Sequence, residues 1–197
     1  MARSSKRSTV IRSTVIQGAA AGALAGFAAA WAMNLAAKLY ARATLPHYDN
    51  AEVAEIRLRE RELLCIERSD PTGEGSDRFA ERFLHRRLTD RELDVSRDVV
   101  HYLAGTTLGA GYGAMAVRFP KVTRGHGLLF AAILLVAGEE IANPVLGLLP
   151  PPTQVPLSAH LAMLASHTIY GLTLESTRRA TLSALSKTSW PLLAKSA

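Results

Sequence analysis

Cysteine and the signatures of soluble enzymes are nearly absent from this sequence. Cys65 is the single cysteine, which excludes an intrachain disulfide and a cysteine-based zinc site and leaves the redox compartment unreadable. No glycine-rich nucleotide loop follows a predicted strand, no serine lies in a nucleophile-elbow pattern, and no HExxH or ExxH pattern is present. These absences favour a protein that is not an enzyme, without excluding one.

Charge is nearly absent from four long stretches of the chain. Hydrophobic residues make up 48% of the sequence, and the mean hydropathy of +0.10 averages these stretches with strongly charged ones. A helix needs about 20 mostly apolar residues to cross a hydrocarbon layer of about 30 Å. The stretches of that kind are 15–37, 99–117, 127–149 and 157–174. The sequence therefore predicts an all-α integral membrane protein, a four-helix bundle of four spans.

The first stretch also has features of a signal peptide. It follows four basic residues within 1–14 and contains small residues such as Ala28 and Ala30 that suit a signal peptidase. Its apolar run is longer than the 7 to 15 residues of a usual signal-peptide core. We therefore prefer an uncleaved span and keep the signal peptide as the alternative.

The basic residues flank the apolar stretches instead of forming one block. Topology and attraction to lipid headgroups explain the net charge of +6 and the pI of about 9.8 better than nucleic-acid binding does. Lys and Arg occur in 1–14, in the turn 118–126 and in the tail 175–197, whereas the turn 150–156 has none. The predicted location is a bacterial inner membrane, with both termini cytoplasmic and 38–98 in the periplasm.

The segment 38–98 is predicted to be a helical periplasmic insert. Asp49 or Asn50 caps its first helix, whose apolar positions are Val53, Ile56, Leu63, Leu64 and Ile66. Pro71 and Gly73 favour a turn at 69–73.

A second, short helix is predicted to carry Phe79, Phe83 and Leu84. Thr89 and Asp90 are predicted to cap a helix that runs on into the second span. We expect the apolar stripes of the insert to pack together or to lie on the headgroups, with a partner-binding site as the alternative.

Two predicted spans carry a glycine at every fourth position, which places each set on one helix face. The sets are Gly18, Gly22 and Gly26 in the first span, and Gly105, Gly109 and Gly113 in the second. Lipid tails supply no hydrophobic drive for helix association, so close backbone approach must hold the helices together. We expect packing within one chain, with a homo-oligomer or a membrane-protein partner as the alternative.

Polar side chains within the predicted spans supply the candidate site. An ionisable group at membrane depth costs at least a few kcal/mol and usually faces the bundle interior. The predicted depths of these residues place them together in the outer half of the bundle. The predicted cluster comprises Glu139, Glu140, Asn143, His160, His167, His101 and Asn34.

Adjacent residues on a helix point about 100° apart, so only one of Glu139 and Glu140 is expected to face the cluster. Pro144 lacks the amide that would bond to the Glu140 carbonyl and is expected to kink the helix.

Three chemistries fit this cluster. Its members can bond to one another to hold the helices in register, or they can handle protons or a small solute. They can also bind a divalent metal, with His160, His167 and Glu139 as candidate ligands, although the sequence requires no cofactor.

The motifs His101–Gly105, Gly109 with Tyr112 and Gly113, Gly138–Glu140 with Pro144, and His160 with His167–Gly171 resemble those of the YagU-like family of small bacterial inner-membrane proteins. The resemblance covers roughly 98–179 and implies a four-span inner-membrane protein. That family has no agreed substrate or catalytic residues, so the resemblance implies no activity. The charged insert matches no motif of the family.

Overall fold

The structure is a computed structural model that describes residues 2–44 and 71–194. Within those residues it is entirely helical, with no strand, which confirms the all-α prediction. We number the helices α1 (Ala2–Thr44), α2 (Pro71–Leu84), α3 (Asp90–Arg118), α4 (Leu128–Val145) and α5 (Leu157–Ala194). The predicted helix at 49–66 lies outside the described residues.

Two of these helices are long and apolar enough to cross a membrane by length and composition. They are the part of α1 from Thr14–Leu39 and the whole of α4. The other two predicted spans, 99–117 and 157–174, are helical but less apolar. Helix α4 ends at Val145, four residues before the predicted end of the third span, and α5 continues as a helix through most of the predicted tail.

The chain forms two compact units, which we describe separately. Unit 1 is built from Met1–Met33, Tyr102–Ala132 and His167–Ala197, and unit 2 from Asn34–His101 and Ile133–Ser166.

In unit 1 the two glycine rows pack against each other. Gly26 lies opposite Gly105, Gly22 opposite Gly109, and Gly18 opposite Gly113, so α1 and α3 run antiparallel. All six glycines are buried, and a Cβ on any of them would overlap the facing chain. The two helices therefore approach with backbone against backbone, and the glycine faces are used within a single chain.

Helices α3, α4 and α5 complete the packing of unit 1. The Tyr170 hydroxyl donates a 2.8 Å hydrogen bond to the Gly105 carbonyl, and Gly171 lies against Gly127 and Ala131. Gly127 has a φ of +86°, a backbone conformation that glycine adopts without strain. This turn brings the start of α4 into backbone contact with α5.

In unit 2, α2 is hydrogen-bonded to the residues that follow α4. Arg78 donates from Nη1 to the Leu146 carbonyl (2.9 Å) and from Nη2 to the Gly147 carbonyl (2.6 Å). The carbonyls at a helix end have no partner within the helix, so the guanidinium satisfies groups that otherwise need water. Gly73 and Ala80 are buried on one face of α2.

The predicted turn at 69–73 is wrong for Pro71–Gly73, which form the first turn of α2. Proline suits the first helical position because its missing amide would have no partner there and its fixed φ is helical.

The predicted helix with Phe79, Phe83 and Leu84 is confirmed, and so is the Thr89 cap. The Thr89 hydroxyl accepts from the Glu92 amide (3.4 Å) while Glu92 accepts from the Thr89 amide (2.9 Å), which is a capping box.

Candidate functional site

The candidate site in unit 2 is built on an unusual stretch of helix. From Leu135–Ala142, α4 is a π-helix, in which the Asn143 amide bonds to the carbonyl of Gly138, five residues earlier. Glu139 and Glu140 lie within it. Wide turns of this kind are rare in proteins and frequently occur at functional sites. The stretch ends just before Pro144, whose missing amide cannot continue an α-helical pattern back to Glu140.

Glu140 and His160 form a direct pair between α4 and α5. His160 Nδ1 lies 2.8 Å from Glu140 Oε1, and His160 Nε2 lies 3.1 Å from the carbonyl oxygen of Pro152. Both side chains are about three-quarters buried. The Pro152 carbonyl belongs to a short 3₁₀ turn, Pro152–Gln154, that precedes α5. This turn therefore holds the imidazole from the side opposite the carboxyl group.

The two contacts of His160 determine where its protons lie. A carbonyl oxygen can only accept, so Nε2 carries a hydrogen that it donates to Pro152. The proton between Nδ1 and Oε1 then belongs to either partner: an imidazolium faces a carboxylate, or a neutral imidazole accepts from a carboxylic acid. Both arrangements have zero net charge, so exchange between them moves a proton about one bond length without burying an unpaired charge.

Glu139 has a different partner. Its Oε2 accepts a 2.9 Å hydrogen bond from Asn143 Nδ2 on the same helix. Of the two adjacent glutamates, Glu140 therefore contacts a neighbouring helix and Glu139 contacts its own. The sequence left this choice open because it depends on how the helix winds locally.

The remaining predicted members are half-buried and divide between the units. Asn34 and His101 belong to unit 2, together with Glu139, Glu140, Asn143 and His160. His167 belongs to unit 1. The predicted metal site gains no support: in 2–44 and 71–194 no group of three or more His, Cys, Asp or Glu side chains is placed to hold a metal ion.

A second polar network, in unit 1, was not predicted from the sequence. The Glu175 side chain is fully buried and accepts four hydrogen bonds. The donors are Arg178 Nε (2.8 Å) and Nη2 (2.9 Å), Arg179 Nε (2.6 Å) and the Tyr112 hydroxyl (2.8 Å). Arg178 is itself buried, and its guanidinium carbon lies 5.8 Å from the centre of the Tyr112 ring. Each buried charge is thus paired, as burial requires.

The sequence contains two signals for this network. Glu175 is followed by arginine at the third and fourth positions, the spacings at which side chains on a helix meet. It is also the one acidic residue among all the residues of unit 1. Because 175–197 was predicted to be a cytoplasmic basic tail, the burial of Glu175 was not predicted.

Residues 80–176 match the model of a family described as a protein of unknown function (DUF1440). The matched region runs from the end of α2 into α5 and includes Glu140, His160, Tyr112 and Glu175. No curated protein and no solved structure matches the chain. The YagU-like name therefore stays a resemblance, and the family match assigns no activity.

Proposed function

We propose that this is a multi-pass inner-membrane protein of four spans, with both termini cytoplasmic, that handles protons through Glu140 and His160. The observation that carries the proposal is the direct pair between these side chains, with its tautomer held by the Pro152 carbonyl. We expect no enzymatic reaction and no required cofactor.

The distribution of apolar side chains supports the proposed location of the protein in a membrane. The buried hydrophobic residues are mostly alanines, such as Ala21, Ala25 and Ala29, whereas most of the bulky apolar side chains are exposed. In α1, Leu24 is 63% exposed and Trp31 54%, and only 11% of α4 is buried. A water-soluble protein buries its large apolar residues. Lipid tails accommodate them, and helices in lipid pack through small residues instead.

The charges of two short turns support the orientation. The turn 118–126 contains Arg118, Lys121 and Arg124, whereas the turn 150–156 contains no charged residue. Short loops on the cytoplasmic side carry the excess of Lys and Arg. This contrast favours a cytoplasmic turn 118–126 and a periplasmic turn 150–156. The packing of the α1 glycines against α3 favours a retained span over a cleaved signal peptide.

Proton handling fits the position of the pair in this topology. Glu140 and His160 lie between two spans and close to the periplasmic turn that supplies the Pro152 carbonyl. A proton entering from the periplasm can be taken up by one partner while the other releases one. Because the pair is neutral in both arrangements, it can persist at membrane depth, where a lone charge is expensive.

A flux assay on the full-length protein tests the proposal. The protein is reconstituted in liposomes with a pH-sensitive dye inside, and a potassium diffusion potential is imposed with valinomycin. We expect proton flux above that of empty liposomes, and we expect Glu140→Gln to reduce it about a hundredfold or more, in the range typical for loss of a proton-transferring group. His160→Asn should reduce it similarly.

Glu139→Gln is the matched control, since it changes the neighbouring glutamate, which does not contact His160. We expect this variant to retain most of the flux. Equal flux in wild type, Glu140→Gln and His160→Asn would contradict the roles assigned to Glu140 and His160. Wild-type flux no greater than that of empty liposomes would contradict proton transport by this protein.

A further inference from the structure

Helix α2 leaves an aromatic face uncovered. Phe79 is 62% exposed and Phe83 is 65% exposed, one turn apart, with ring centres separated by 4.5 Å. Gly73 and Ala80 are buried and lie about a quarter turn around the helix from the two rings. Helix α2 therefore has a buried face of small residues and an exposed apolar face of large aromatic rings.

The hydrogen bonds of Arg78 determine where along α4 this helix lies. They join α2 to the carbonyls of Leu146 and Gly147, the two residues directly after α4 ends. Gly75 faces the Leu148 side chain in the same region. Helix α2 therefore lies at the level where the apolar helix ends, which in the proposed topology is the outer boundary of the hydrocarbon layer.

The adjoining surface of α4 is apolar as well. Val145 is 80% exposed and Leu146 is 63% exposed, and both face lipid in the proposed topology. Arg82 lies on α2 next to Phe83 and is exposed. A long basic side chain beside aromatic rings suits a headgroup region, because the rings enter the boundary layer while the guanidinium reaches a lipid phosphate.

We propose that α2 lies on the outer leaflet of the membrane, with Phe79 and Phe83 inserted between phospholipid headgroups. The occupant of the aromatic face is phospholipid, bound through apolar contact with the rings and through Arg82. This inference rests on the proposed membrane topology. It makes α2 an interfacial helix that is attached to the spans by Arg78.

Fluorescence of single tryptophans tests this assignment in the full-length protein. The two native tryptophans, Trp31 and Trp190, are replaced by Phe, and Phe79→Trp is added to that background. The matched control is Glu81→Trp, two residues further along the same helix and on another face. Each variant is reconstituted in vesicles of phosphatidylethanolamine and phosphatidylglycerol, with or without brominated acyl chains.

We expect brominated lipid to quench the tryptophan at position 79 at least about twofold more than the one at position 81, as for a side chain inserted at the acyl boundary. Aqueous iodide should show the reverse order. Phe83→Trp provides a second reporter on the same face should Phe79→Trp fold poorly, which circular dichroism would reveal.

The inference is overturned if iodide, and not brominated lipid, quenches position 79. It is equally overturned if both quenchers fail, since residues 45–70 or a second copy of the chain would then cover the rings. A variant that keeps only Trp31, on the proposed first span, tests the topology separately. If brominated lipid quenches Trp31 but not position 79, only this inference is contradicted. If brominated lipid does not quench Trp31, the membrane proposal itself is contradicted.

Discussion

Two buried tyrosines donate hydrogen bonds to acceptors of different strength. The Tyr112 hydroxyl donates to the Glu175 carboxyl group, and the Tyr170 hydroxyl donates to the Gly105 carbonyl, both at 2.8 Å. A hydrogen bond to a charged group contributes about 1.5–3 kcal/mol and one between neutral groups about 0.5–1.5 kcal/mol. At the scale of single residues, the Tyr112–Glu175 bond is therefore expected to contribute more to stability than the Tyr170–Gly105 bond.

Replacing each tyrosine by phenylalanine compares the two bonds directly. We expect Tyr112→Phe to lower the free energy of unfolding in detergent by about 1.5–3 kcal/mol, because Glu175 loses a donor while it stays buried. Tyr170→Phe should cost about 0.5–1.5 kcal/mol. Thermal unfolding followed by circular dichroism measures both, and a larger loss for Tyr170→Phe would contradict the greater contribution assigned to the Tyr112–Glu175 bond.

At the scale of elements, the interface of α1 and α3 depends on the absence of side chains. A Cβ on Gly109 would overlap the backbone of Gly22 and Gly26, whereas a Cβ on Gly111, in the same helix, meets nothing within 4 Å. The two glycines therefore have different roles although the sequence around them is similar.

Alanine substitution separates these roles. Gly109→Ala should destabilise the protein by about 1–3 kcal/mol, because the helices must move apart to admit a methyl group. Gly111→Ala should be neutral or stabilise it by up to about 1 kcal/mol through the better helix propensity of alanine. Unfolding in detergent measures both values, and equal effects at the two positions would contradict the packing described for unit 1.

The start of α3 is a pH-sensitive element. Glu92 has its pKa lowered from 4.5 to about 2, first by its hydrogen bond with Arg86 and then by those from the Thr89 amide and hydroxyl. A carboxyl group with a lowered pKa stabilises the folded state above its ordinary pKa, and that contribution is lost as the pH falls towards the lowered value. The capping box should therefore persist at neutral pH and weaken between about pH 4.5 and 2.

Nuclear magnetic resonance of the Thr89 amide measures this titration. We expect its chemical shift to change with a midpoint well below 4.5, because Glu92 accepts from that amide. Arg86→Gln should move the midpoint back towards the ordinary value by removing the largest cause. A wild-type midpoint near 4.5 would mean that the contacts of Arg86 and Thr89 with Glu92 do not persist in solution.

At the scale of the whole molecule, two features support the proposed location in a membrane. Many large apolar side chains are exposed, as contact with lipid would allow. Lys and Arg occur in the turn 118–126 but not in the turn 150–156, as the proposed orientation requires.

Labelling of cysteine tests the proposed topology. Cys65, the native single cysteine, lies in the predicted periplasmic insert and should react with a membrane-impermeant maleimide in intact spheroplasts. In a Cys65→Ser background, Thr123→Cys in the predicted cytoplasmic turn should react only after permeabilisation. The opposite pattern would invert the topology and move the Glu140–His160 pair to the cytoplasmic side.

Much of the local structure was predictable from local patterns. The all-α class, the helix with Phe79 and Phe83, and the Thr89 cap follow from apolar spacing and capping chemistry within a few residues. The first turn of α2 was mispredicted because Pro and Gly serve both in turns and at helix starts. All four spans remain predictions, although α1 and α4 are long and apolar enough to cross a membrane by length and composition.

The sequence by itself determined the all-α class and the glycine faces of α1 and α3, because both depend on the periodicity of side chains along a helix. The tertiary structure decided that these faces meet each other, that Glu140 and not Glu139 reaches His160, and that Glu175 is buried with its arginines. Each of these outcomes depends on residues distant in sequence and on local winding, such as the π-helix before Pro144. The spacing of Arg178 and Arg179 from Glu175 indicates that they pair, but no pattern within one helix indicates the burial of Glu175 or the other two outcomes.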